Sequence, residues 1–180
     1  MKRLPKKPKI YLAGAMEKAD DGELGTKWRD LITPTLENLG FEVWNPVEFE
    51  ADQLRGLHPN RLPKEATDLI TEKKFIPKHW HDLKRAKESN LYNRFLKYMR
   101  RIREYDLGLV EHKMDYLFVL WDEGTLKGAG THAEIEMAHK VNIPVYCVTK
   151  AELPAWLHPA VDEKFSSIEE ALLFLSKEFS

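Results

Sequence analysis

Residues Asp115 to Trp121 read DYLFVLW, and this stretch decides the fold. Apart from Asp115 every residue in it is apolar, and charged segments lie on either side. So short an unbroken apolar run suits a strand covered on both faces, the centre of a parallel sheet. Ahead of it runs a charged stretch with helical spacing from about Lys78 to Val110. Its apolar face is predicted to carry Leu83, Ala86, Leu91, Phe95, Tyr98, Met99, Ile102 and Leu107. Behind it come a glycine-containing loop and a helix from about His132 to Val141. A second apolar strand follows at Ile143 to Thr149, and an amphipathic helix at Ser167 to Phe179 closes the chain.

Towards the N-terminus, Lys9 to Ala13 reads as a buried strand ending at Gly14. The segment from about Gly25 to Leu39 has helical spacing, with Trp28, Leu31, Ile32, Leu36 and Leu39 on one face. Pro34 falls inside it and predicts a kink or a break, and Gly40 is a stop signal. Phe41 to Trp44 is a short strand closed by Asn45-Pro46. Residues 47–77, punctuated by Pro59, Pro63 and Pro77, read as an insertion with a short helix around Lys64 to Glu72. Strands and helices thus alternate. The expected fold is α/β and doubly wound: a mainly parallel sheet of four to five strands with helices on both faces, flavodoxin-like or Rossmann-like.

The chain of 180 residues suits one domain, with a basic tail at 1–8. Its formal net charge is -1 although 32% of residues are charged. That balance argues against a nucleic-acid polymer as partner, while leaving room for a local basic patch and a small anionic substrate. The apolar run IYLAGAM is too short for a secretory signal and stops at Glu17, and no stretch approaches membrane-spanning length. A cytoplasmic protein is expected. The single cysteine, Cys147, forbids an internal disulfide and reads as a buried structural thiol.

In doubly wound sheets ligands bind outside the carboxyl ends of the strands. That rule selects the loop after Ala13, the turn after Trp44 and the loop after Trp121. The last reads WDEGTLKGAGTHAEIEMAHK. Gly128 and Gly130 are expected to let the backbone turn into the helix. Thr131 is a candidate N-cap, and Glu134 three residues on completes a capping-box match. Two readings of Glu134 follow. In one it only bonds back to the backbone of Thr131. In the other it is a carboxylate kept ionised by the helix macrodipole, ready to attack a sugar anomeric carbon. Gly128 to Ala133 also fits the loose dinucleotide pattern GxGxxA.

Other residues have modest claims. Gly14 is expected to let a substrate approach the backbone, and Met16 to pad a base. Arg29, with Arg100, Arg101 and Arg103, is a candidate for receiving a phosphate. Trp28 and Trp44 read as core or pocket wall, and His132 as a residue orienting Glu134 or touching a base. His79 and His81 are two apart on a helix and point in different directions, so no metal site is expected.

Three segments together, KIYLAGAM, FEVWNP and DYLFVLWD…GAGTHAEIEMAHKVNIPVYCVT, resemble nucleoside 2-deoxyribosyltransferases and their relatives, the nucleotide N-glycosidases. The resemblance touches most of the chain from Lys9 to Thr149 and is weakest over Val47 to Lys97. It implies cleavage of the N-glycosidic bond of a nucleoside or nucleoside 5′-monophosphate, without a cofactor, in a homo-oligomer. Glu134 matches the nucleophile, Tyr11 the tyrosine of the first strand, and Asp106 the aspartate that contacts sugar or base. A second aspartate is expected in the loop before the nucleophile. Direct spacing puts Gly128 there, and Asp122 stands in if the loop folds back. Glu136 occupies a position where relatives carry glycine. Gly14, Met16, Arg29, Asn45, Asp122, Gly130 and His132 are assigned to substrate binding on this basis. Two rivals stay open: a nucleotide-binding or sensing module without turnover, and a dinucleotide-dependent oxidoreductase.

Overall fold

The computed structural model describes residues 7–16, 25–47 and 89–179, with side chains from Arg100 onward in the last segment. The elements are β1 (Lys9–Gly14), α1 (Thr26–Asn38), β2 (Glu42–Trp44), α2 (Ser89–Lys113) and β3 (Tyr116–Trp121). They continue with α3 (Glu123–Lys127), α4 (Gly130–Lys140), β4 (Val145–Thr149), a 3-10 turn (His158–Ala160), β5 (Glu163–Phe165) and α5 (Ile168–Glu178). The strands form one parallel sheet in the order β2-β1-β3-β4-β5. This is the doubly wound, flavodoxin-like α/β fold that the apolar runs predict.

The alternation of side chains along each strand explains the two layers. Tyr11, Ala13, Leu117, Val119, Trp121, Val145 and Cys147 point to one face. There they meet Leu109 and Val110 of α2 and Ile135 and Ala138 of α4. Ile10, Leu12, Phe118, Tyr146 and Val148 point to the other and meet Ile32 and Leu36 of α1 and Ala171 and Leu175 of α5. Cys147 is fully buried, and its burial pushes the thiol up to about 12, so it is an inert core group as expected.

Several details depart from the sequence expectation. Pro34 neither breaks nor ends α1, which runs through it. The buried stripe of that helix is Arg29, Ile32 and Leu36, while Leu31 is 68% exposed. Pro8 is already tied to the sheet, its carbonyl accepting from the Glu42 N–H at 2.8 Å, so the basic tail is shorter than eight residues. The helix α2 extends to Lys113, past the expected end at Val110. The sheet has five strands, at the upper end of the expected four to five; the sequence reading assigns no segment to the fifth or to the 3-10 turn before it. The strand starts where the Asp162 carboxylate accepts from the Val145 N–H at 2.8 Å. The insertion at 47–77, the histidines at 79 and 81, and the expected helix over 78–88 lie outside the described residues, apart from Val47.

No helix among the described residues is long and apolar enough to cross a membrane.

Candidate active site

In the strand order β2-β1-β3-β4-β5 the chain leaves β1 towards one edge and β3 towards the other. At such a switch point, outside the carboxyl ends of β1 and β3, doubly wound sheets bind their ligands. Around this switch point the structure places Tyr11, Trp121 and the start of α4.

Glu134 and Tyr11 meet there. The Tyr11 hydroxyl donates to Glu134 Oε1 at 3.0 Å, across 123 positions of sequence. Tyr11 is fully buried, while Glu134 is half-buried. The geometry corrects the capping-box expectation. Helix α4 begins at Gly130 with Ala129 at its N-cap, and no side chain caps it. Thr131 is inside the helix and buried. A variant of the capping box is found at α5, where the N-cap Ser167 Oγ accepts from the Glu170 N–H and Glu170 Oε2 accepts from the N–H of Ser166, one residue before the cap.

The electrostatic expectation is also overturned. Glu134 is the fifth residue of α4, past the first turn in which the macrodipole acts. Burial of its carboxyl dominates and raises its pKa from 4.5 to about 7, against the hydrogen bond from Tyr11 and the positive charge of Arg29. Near neutral pH the group therefore stands poised between its two forms.

Asp106 is buried on α2, one turn ahead of the core residues Leu109 and Val110, so it lies on the face that packs towards the sheet. It is not at a solvated helix end. Its neighbour Tyr105 has its pKa raised by burial and by the Asp106 charge. Helix α2 packs along α4, and Lys140 and Glu111 join them at 3.6 Å.

Of the other candidates, Met16, Asn45 and Asp122 follow strands β1, β2 and β3, and Gly130 and His132 stand on α4. Met16 is half-buried just beyond β1. Asn45 is buried, and its Oδ1 accepts from the Val47 N–H at 3.2 Å, closing the turn after β2. Asp122 caps the short helix α3, its Oδ1 accepting from the Thr125 N–H at 2.8 Å. This carboxylate oxygen is spent on its own helix. His132 packs edge-on against Trp121, with ring centroids 4.8 Å apart.

Gly14 does not leave the strand end open. A Cβ there would lie 2.9 Å from the Trp28 ring, which fills the space. Gly128 has φ -104° and Gly130 is helical, so neither supplies a left-handed turn. The helix α3 also intervenes between β3 and α4. The GxGxxA stretch therefore lacks the direct strand-to-helix turn on which a dinucleotide fingerprint depends. Arg29 is fully buried and bonded to backbone carbonyls, so its guanidinium is not displayed for a phosphate.

Sequence reasoning missed Thr125. Its buried Oγ1 accepts from the Ala15 N–H at 3.2 Å and lies 3.1 Å from the Leu120 carbonyl and 2.9 Å from Asp122 Oδ1. One hydroxyl thus ties the exit of β1 to the exit of β3. Thr125→Val keeps the shape and leaves the Ala15 amide buried without that acceptor. It should cost about 1–3 kcal/mol in urea denaturation.

Scanned against models of protein families the chain matches none, and a search of curated proteins returns no match.

Proposed function

We propose that the chain cleaves the N-glycosidic bond of a (deoxy)nucleoside or nucleoside 5′-monophosphate through a covalent glycosyl–Glu134 intermediate. The observation that carries this reading is the Tyr11–Glu134 contact at the switch point of the sheet. A carboxylate attacking C1′ has to be held in line, and Tyr11 fixes one oxygen while the other stays available.

The steps balance as follows. Glu134 in its carboxylate form attacks C1′ with a lone pair. The N-glycosidic bond breaks, and its electron pair leaves with the base. Asp106 positions the base or delivers the proton that its nitrogen takes up. A nitrogen of a second base, or a water oxygen, then attacks C1′ from the opposite side, gives its proton to the Asp106 carboxylate left by the first step, and frees the Glu134 carboxylate. Two inversions give net retention at C1′. The reaction as written calls for no cofactor. Fixing the reacting atoms ~3–3.5 Å apart removes several kcal/mol from the barrier. We propose a homo-oligomer, as the resemblance implies, in the cytoplasm, as the short N-terminal apolar run suggests.

The test is a panel of nucleosides and 5′-monophosphates, with and without an acceptor base, read by chromatography for free or exchanged base. Release of base from one class fixes the substrate, and exchange without release marks a transferase. Tight binding with no released base from any member of the panel would instead establish a binding module. The pH profile adds a second check. The nucleophile must be ionised, so kcat/KM should fall towards acid with a midpoint near 7, where Glu134 of the free chain titrates. A midpoint near 4.5 would mean that the reacting carboxylate is a different one.

A further inference from the structure

We propose that the outer face of the crossover between β4 and β5 is where two copies of this chain meet, with Trp156 on the two-fold axis.

Residues 150–162 join two parallel strands, so they must cross the sheet from the carboxyl end of β4 to the amino end of β5. Such a crossover is usually an α-helix with a polar outer face. Here it is an irregular segment with a 3-10 turn. Leu153, Leu157 and Ala160 bury themselves in the core layer that also holds Ile135 and Ala138 of α4. The Leu157 N–H donates to the Pro154 carbonyl at 2.8 Å, and the Ala160 N–H to the Leu157 carbonyl at 3.0 Å. These anchors and turns fix which side faces outward. That side carries Ala155, Trp156, His158 and Pro159, all exposed.

Trp156 is 79% exposed, the most exposed large apolar side chain among the described residues. From Leu153 to Val161 there is no Asp, Glu, Lys or Arg, in a chain where these make up 32%. Scattered exposed leucines are ordinary on a protein surface. A tryptophan held outward by a packed turn, in the middle of an uncharged strip, has the character of a binding hot spot.

The charges at the two ends of the strip select the occupant. Lys150 and Asp162 are exposed and lie six positions either side of Trp156. Asp162 is held in place by accepting from the Val145 N–H at 2.8 Å. A two-fold axis through Trp156, perpendicular to the crossover, sets two copies of the strip antiparallel. Lys150 of each copy then faces Asp162 of the other, and the uncharged centres meet. A strongly acidic or strongly basic partner finds no matching field in a strip with one charge of each sign at its ends. With a formal net charge of -1, two copies do not repel each other at long range. The surface stands whether or not Glu134 is a nucleophile.

The experiment is sedimentation velocity of the full chain, at low salt, from about 1 to 100 µM. The native chain should show a reversible monomer–dimer equilibrium. Trp156→Ser should raise the dissociation constant roughly thirtyfold or more. Lys150→Glu places like charges opposite each other and should raise it roughly fivefold or more. Both side chains are exposed, so both variants should keep the far-UV circular dichroism of the native chain. A native chain that stays monomeric over the whole range overturns the proposal. So does an oligomer whose dissociation constant is left unmoved by either substitution.

Discussion

Replacing Glu134 by glutamine is expected to abolish turnover and, at pH 8, to make the folded chain more stable. The first effect follows from removing the nucleophile, a loss of roughly four orders of magnitude or more. It is read as base release, together with intact-mass detection of a glycosyl adduct that forms on the native chain alone. Near-normal turnover by the variant ends the assignment. The second effect follows from the raised pKa. Protonated Glu134 is the form that the folded state prefers, so its contribution to stability is full below pH 4.5 and is lost as pH rises through about 7. A rise from 4.5 to about 7 is worth about 3 kcal/mol at the most. Glutamine keeps an oxygen for the Tyr11 hydroxyl and does not titrate. Native and variant chains should therefore melt together below pH 4.5, diverge between pH 4.5 and about 7, and keep a constant gap above that, with the variant higher. The cost of a charge in a dry cleft is what the proposed catalysis draws on.

Gly25→Ala should produce the largest loss of stability available from a single methyl group. Gly25 precedes α1 in the left-handed region, where a side chain costs about 1–2 kcal/mol. The added Cβ would lie 2.3 Å from the Ala15 carbonyl oxygen and 2.8 Å from Arg29 Nη1. Backbone and guanidinium must both move, and neither is the loose end of a flexible chain. A total of about 3 kcal/mol is expected, seen as a fall in melting temperature of roughly 10 °C. Gly40→Ala is the internal control. It shares the positive φ, but a Cβ there meets nothing within 4 Å. It should lose only the backbone part.

The sheet was legible because central parallel strands are apolar on both faces. DYLFVLW, KIYLAG and VYCVT each advertise two covered sides. The fifth strand was not, since Glu163 and Lys164 are exposed and only Phe165 is buried. A margin with one neighbour needs no unbroken apolar run. Both partners of the central contact were singled out, Tyr11 and Glu134, but through the resemblance and not through spacing. No local window spans the 123 positions between them. The local pattern pointed instead to a cap on Thr131, and the helix starts two residues earlier than that pattern required. The electrostatics failed for a related reason. The macrodipole argument assumes a solvated first turn, whereas burial governs a carboxyl packed against the sheet. Arg29 reads as a phosphate candidate when the apolar stripe is drawn through Trp28, Leu31, Ile32, Leu36 and Leu39, whereas the buried stripe runs through positions 29, 32 and 36. Thr125 carried no signal, since its three partners are set by how two loops fold together.

The sheet has two outermost strands, β2 and β5, each only three residues long. Their solvent-facing residues are charged: Glu42 on one, paired with Lys9 at 3.0 Å, and Glu163 and Lys164 on the other. A template so brief and so strongly hydrated offers an incoming strand few unpaired amides to zip against. Ribbon-to-ribbon polymerisation is thereby discouraged at both flanks. Whatever assembly this chain forms is then better served by its helices than by extending the sheet from one copy into the next.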